Sequence, residues 1–158
     1  MLPTDPIEYA QALVERHESF RANVYWDGTG APIEAGAFGN PTVGFGLNVG
    51  PSGGMTEGEA RTVLWLRLMA IRAQVQNIDK WLASLSPQRQ AVVLDVAYNV
   101  GVQGWIGFVE TRAALQAGDF ERAAAELLQS DAARLLPTRY DEDARILATG
   151  KFPVGLYP

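Results

Sequence analysis

Apolar and polar positions alternate along this chain with two different periods, and the periods divide it. Tyr9, Leu13 and Val14, continued by His17, fall at helical spacing behind the cap-like run Thr4-Asp5-Pro6-Ile7-Glu8, so a first helix should reach about residue 18. Residues 23–49 lose that spacing. Gly28, Gly30, Gly36, Gly39, Pro32 and Pro41 punctuate short extended pieces, a pattern that predicts a hairpin with a long tip. The helical period returns at Thr56-Glu57-Gly58-Glu59, a capping-box pattern, with Leu64, Leu68, Ile71, Val75 and Ile78 marking a long helix. Ser86-Pro87 opens another helix, with Val92, Val93, Val96, Ala97 and Val100 as its apolar face and Gly101 as its stop. A short helix is predicted from Phe108 to Ala117 before Gly118, one from Asp119 to near Ser130, and a last one from Thr138 to Thr149, ended by Gly150.

The order is helix, small β-region, then about five helices. That order predicts an α+β fold, mostly α, with a small β-hairpin lobe (about 20–56) and a larger helical lobe (about 80–158 plus the N-terminal helix) joined by the long helix. We see no internal repeat, low-complexity segment or linker, and 158 residues suit one domain over 1–158. The cleft between the lobes is the expected binding site.

Composition narrows the chemistry. With no cysteine there is no disulfide, thiolate metal site or cysteine nucleophile. A single histidine, His17, excludes a multi-His metal site and leaves little room for a Ser-His triad. Neither a metal nor a cofactor is expected. No run of about 18 apolar residues is present, so no stable membrane insertion is expected. The N-terminus has neither a basic n-region nor an apolar h-region, so no secretory signal is expected. The net charge of −5 is uneven: residues 1–60 hold two basic and eight acidic side chains, residues 61–158 eleven and ten. The basic stripe of a nucleic-acid binder is missing, and the acidity works against strong attraction to anionic bacterial envelopes.

Three residues stand in a suggestive order. Glu18 closes the first helix, Asp27 follows the extended Val24-Tyr25-Trp26, and Thr42 opens the Gly-spaced Thr42-Val43-Gly44-Phe45-Gly46. Cleavage of a glycosidic bond needs an acid for the leaving oxygen and a carboxylate across the sugar. At a helix C-terminus the dipole disfavours a negative charge, which favours a proton on Glu18. Asp27 lies in a polar turn and should stay ionised. Thr42 could hold a water, since its hydroxyl both donates and accepts. Each has a plainer reading too: an Asp before Gly is usually a turn residue, a helix-end Glu is usually solvated, and a Thr opening a strand is usually a propensity choice.

His17-Glu18-Ser19-Phe20, Val24-Tyr25-Trp26-Asp27 and Thr42-Val43-Gly44-Phe45-Gly46 together resemble the catalytic segments of phage-type lysozymes, the muramidases and endolysins related to the T-even phage enzyme. In that family eight residues separate Glu from Asp, as here. The resemblance continues through Arg89 to Gly101, Gly104 to Phe108, Asp119 to Ala124 and Pro137 to Phe152, and covers about residues 7–152. It implies a peptidoglycan-degrading hydrolase for the β-1,4 bond between N-acetylmuramic acid and N-acetylglucosamine, with inversion. Glu18 would be the general acid, Asp27 would assist a water or stabilise the developing positive sugar, and Thr42 would orient the water. Arg139 would pair with the Glu, and Gly44, Phe45, Leu47, Tyr98 and Asn99 would line the sugar cleft.

Two departures qualify the resemblance. Fourteen residues lie between Asp27 and Thr42 where the family has five, so Gly28 to Pro41 carries an insertion of about nine, a flap over the cleft or a neutral surface loop. Leu47 stands where the family often has a His, and His17 is expected to pack or be solvated rather than replace it. Two other readings remain: a lytic transglycosylase, which needs no water-directing Asp, and a non-catalytic wall-binding module of a phage particle. The expected partner is the peptidoglycan glycan strand, with the chain acting as a monomer. Delivery would run from the host cytoplasm through a separate holin, or as part of a virion protein.

Overall fold

Helix ends in this protein fall where the sequence supplies caps. The computed structural model describes residues 5–18, 20–26, 41–44, 47–48 and 56–153. Helix α1 (Pro6–Glu18) opens with Asp5 Oδ1 accepting from the Ile7 N–H at 2.9 Å. Its inner face is Ile7, Tyr9, Ala10, Leu13 and Val14. Three short strands follow, β1 (Arg21–Trp26), β2 (Pro41–Gly44) and β3 (Leu47–Asn48), in the order β1-β2-β3. Both pairings are antiparallel, with Thr42 opposite Tyr25 on one side and Asn48 on the other.

Helix α2 (Glu57–Ile78) starts on the full reciprocal box: Thr56 Oγ1 accepts from the Glu59 N–H at 3.3 Å, and Glu59 Oε2 accepts from the Thr56 N–H at 2.8 Å. A 3-10 turn (Lys80–Ser84) leads to α3 (Pro87–Ile106), capped by Ser86. Gly101 interrupts α3 with φ 76°, a left-handed backbone that only glycine adopts at no steric cost, so the regular run stops where the sequence placed its stop. Helices α4 (Val109–Ala117), α5 (Phe120–Leu128), α6 (Asp131–Leu135) and α7 (Pro137–Thr149) complete the chain, with Gly118 and Gly150 as left-handed C-caps of α4 and α7.

The protein is mostly helical, as its periodicity predicts. Six α-helices follow the strands among the described residues, rather than about five, because α6 is five residues long. A helix of that length is too short to show a period and is set by its Ser130 cap, whose hydroxyl accepts from the Ala133 N–H at 3.1 Å. No single described helix is long and apolar enough to cross a membrane.

Helix α3 is the centre. Every residue from Gln90 to Ala97 is buried, which only a helix surrounded on all sides can sustain. It packs on α1, α2 and α7, while α5 packs on α4 and α7. Leu13, Leu64, Leu68, Leu94, Leu127, Tyr140 and Leu147 fill the shared core. Arg89 ties α3 to α5 and α7: it lies 3.6 Å over the Phe120 ring and donates to the Leu147 and Ala148 carbonyls, closing the C-terminus of α7. Asp79, at the C-terminus of α2, is buried and accepts from Trp105 Nε1 at 2.8 Å and from Arg112 Nη2 and Nε at 2.7 and 3.1 Å.

Candidate active site

Glu18 is the last residue of α1, and the packing of α1 on α3 delivers it next to the N-terminal half of α7. Arg139 stands two residues inside α7 and reaches back to it: Nη1 donates to Glu18 Oε1 at 2.6 Å. The same guanidinium grips Asp95 of α3, with Nε to Oδ2 at 3.0 Å and Nη2 to Oδ1 at 2.9 Å. One planar fork therefore serves two carboxylates, which a lysine could not do. The two differ in access. The Glu18 side chain keeps 24% of its exposure and the Asp95 side chain none. Only Glu18 can reach a ligand.

His17 completes the network from α1. Nδ1 lies 3.2 Å from Asp95 Oδ2 and Nε2 lies 3.1 Å from Glu142 Oε2, which also accepts from Arg16 Nε at 2.9 Å. The ring is thus packed and bridging, not solvated. Burial works against the Asp95 carboxylate, but the hydrogen bond with His17 and the charge and hydrogen bonds of Arg139 outweigh it and hold it below the ordinary carboxylate range. Burial likewise opposes the charge on Arg139, and the nearby carboxylates of Asp95 and Glu18 more than offset it.

Glu18, Arg139, His17 and Asn99 line one pocket of about 500 Å³ together with Leu135, Leu136 and Pro137. Asn99 is held there by Tyr140, whose hydroxyl donates to Asn99 Oδ1 at 2.9 Å. Tyr98 is half-buried nearby, its phenol pushed up to about 12 first by burial and then by the negative charge of Glu18. Thr42 lies buried in β2, Gly44 pairs with Arg21, and Leu47 pairs with Val43 in the sheet. Asp27, Phe45 and residues 28–40 of the insertion lie outside the described residues. The pocket so far brings together Glu18, Arg139 and Asn99 from the expected set.

His17, Asp95 and Asp143 each place one potential ligand atom within 4.8 Å of the others, the grouping that could hold a metal ion. Arg139 already supplies a cation to both oxygens of Asp95, so the donor set fits a guanidinium better than a metal.

The sequence profile of the phage lysozyme family matches residues 15–135, well over half of the chain. The chain belongs to the phage lysozyme family. Its membership supports a lysozyme-like, peptidoglycan-degrading function. No match was found among curated proteins. The matched span contains Glu18, Thr42, Asp95 and Asn99, while Arg139, Glu142 and Asp143 lie beyond it on α7.

Asp95, Glu142 and Asp143 were not among the expected site residues, and His17 was expected only to pack or be solvated. Asp95 had a visible signal, a lone acid inside the apolar run Val92-Val93-Leu94-Asp95-Val96-Ala97, because a fully buried Asp demands a partner. Asp143 hid in Asp141-Glu142-Asp143, which reads as a solvated charge run. Its spacing from Tyr140 and Leu147 nevertheless puts it on the inner face of α7.

Proposed function

We propose that this protein is an N-acetylmuramidase that hydrolyses the β-1,4 bond between N-acetylmuramic acid and N-acetylglucosamine with inversion. The observation that carries the proposal is Glu18: a partly exposed carboxyl at a helix C-terminus, lining a pocket of about 500 Å³ and fixed by Arg139. A glycosidase acid must be reachable by the leaving oxygen and held in one orientation, and Glu18 meets both needs. In this reading Glu18 protonates the leaving oxygen, Asp27 assists the attacking water, and Thr42 orients it. Gly44, Phe45, Leu47, Tyr98 and Asn99 line the sugar cleft, formed between a hairpin lobe of about residues 20–56 and the helical lobe. The glycan strand is the partner, and the chain works as a monomer at the cell wall, released by a holin or carried on a virion.

The test is clearing of outer-membrane-permeabilised Gram-negative cells by the wild type and Glu18→Gln, with mass analysis of the fragments. The wild type should release reducing muramic ends, and the folded Glu18→Gln variant should be slower by about 100-fold or more. Anhydro-muramic ends would make it a transglycosylase. Glycan binding without fragments from either protein would make it a wall-binding module.

A further inference from the structure

Asp143 is the least satisfied polar side chain described. It is fully buried on α7, and neither carboxyl oxygen meets a donor. An isolated buried carboxylate is costly, so such a group takes up a proton or finds a cation. The cation at hand is Arg139, four residues earlier on the same helix, but its Nε, Nη1 and Nη2 all bond Asp95 or Glu18 and none bonds Asp143. What remains opposite Asp143 is Asp95 itself, with the His17 ring, all within 4.8 Å of one another.

We propose that Asp143 is a positioning residue for the reaction: it keeps a proton, donates it to Asp95, and so leaves a single negative charge between the pair for Arg139 to meet. The hydrogen bond needs one proton between the two acids, since two carboxylates have no donor between them, and the Arg139 donors on both oxygens of Asp95 leave that proton to Asp143. Asp95 then has donors on three sides, from His17, Arg139 and Asp143, and its orientation is fixed. With Asp95 fixed, the Arg139 fork is fixed, and Nη1 is left for Glu18. The chain of contacts runs from Asp143 through Asp95 and Arg139 to Glu18, across α7, α3 and α1.

Electrostatics agree with the geometry. Burial pushes the Asp143 carboxyl well above the ordinary range, the charge of Asp95 pushes further, and Glu142 adds to it, against Arg139 alone. The titratable and charged groups facing it are Asp95 from α3, His17 from α1, and Arg139, Tyr140 and Glu142 from α7. Asp95 moves the opposite way, so the two acids are driven apart into one donor and one acceptor.

A carboxyl raised in the folded state contributes stability that is complete below its unfolded value, about pH 4, and is lost as pH rises through the folded value. Asn keeps a donor for Asp95 and cannot ionise; Leu keeps neither the donor nor the proton. The experiment measures thermal unfolding from pH 4 to 8, together with kcat and KM for solubilised glycan strands, on the wild type, Asp143→Asn and Asp143→Leu. We expect Asp143→Asn to gain stability over the wild type steadily as pH rises, and to keep kcat within about twofold. We expect Asp143→Leu to lose about tenfold in kcat, roughly 1.4 kcal/mol of barrier, at nearly unchanged KM. A stability difference between wild type and Asp143→Asn that is the same at every pH overturns the shared proton, and this comparison needs no activity and no Leu variant. A Leu variant as fast as the Asn variant overturns the positioning role. The role rests on Glu18 as the acid: a wild type that cleaves no glycan overturns that reading and the positioning with it, while the unfolding curves still decide the proton.

Discussion

Asp79 and Asp95 are both buried, and both are gripped by an arginine fork, yet the two sites are built differently. At Asp79 the account closes locally. One carboxylate meets one guanidinium, Arg112, and one indole N–H, Trp105, with every bond between 2.7 and 3.1 Å. At Asp95 it does not close. Arg139 is divided between Asp95 and the accessible Glu18, a second acid with no donor lies beside Asp95, and His17 is stretched between Asp95 and Glu142. A balanced pair can fix a helix end and do nothing else. An unbalanced cluster that reaches the surface through one carboxyl is the arrangement expected where charge is put to use.

The sharpest way to break this contrast is to remove each arginine's partner role in turn, starting with the balanced site. Arg112→Leu leaves Asp79 buried with Trp105 as its remaining described donor. Loss of one partner of a buried pair costs about 3 kcal/mol, the low end of the range, because the Arg112 side chain keeps 21% of its exposure. The melting temperature should fall by roughly 10 °C, with glycan cleavage per folded molecule unchanged. A folded Arg112→Leu protein that cleaves slowly would mean that the Asp79 site is coupled to the pocket, and the contrast would fail.

The contrast was only half legible in the sequence. Helix existence followed from periodicity and caps: Thr56-Glu59, Ser86, Asp119 and Gly150 all sit where the structure uses them. These signals are local, within four residues of one another, and local chemistry is what a sequence displays. Glu18 and Arg139 are 121 positions apart and came together in the reading only through the family resemblance. Asp79, Asp95 and Asp143 were missed because burial depends on which helix face meets which, and nothing in a single acidic letter tells a buried Asp from a solvated one. Leu94-Asp95-Val96 came nearest to announcing itself, being the one acid in an otherwise apolar stretch of α3.

Arg139→Lys probes the unbalanced site more gently. Lys keeps the charge but is a point donor, and it cannot hold both oxygens of Asp95 and one of Glu18 in a plane. Stability should drop by about 1–2 kcal/mol, since Asp95 retains His17 and a cation nearby. The larger consequence is in catalysis: kcat should fall about tenfold while KM moves little, because Glu18 loses its orientation and not its access. The matched Arg112→Lys variant should lose similar stability and no kcat. Equal effects on kcat from both lysines would erase the distinction between the sites, and an unchanged kcat in Arg139→Lys would reduce Arg139 to a structural clamp.

The smallest expected effect tests whether the pocket beyond Glu18 is also held in place. Tyr140 is fully buried, and its hydroxyl donates to Asn99 Oδ1 at 2.9 Å, on the wall of the pocket. Burial first, opposed by Arg139, keeps the phenol above its ordinary range, so it remains a donor across any working pH. Tyr140→Phe removes that one bond and no core volume, which should cost about 1 kcal/mol and lower the melting temperature by roughly 3 °C. Asn99 would then be free to turn. Where Asn99 contacts sugar, its disorder weakens binding in the ground and transition states alike, so KM should rise about two- to fivefold with kcat unchanged. A fall in kcat would instead place Tyr140 in the network that fixes Glu18, through its neighbour Arg139 on α7. A loss of stability with both constants intact would show that Asn99 meets no sugar, and the functional part of the unbalanced site would end at Glu18.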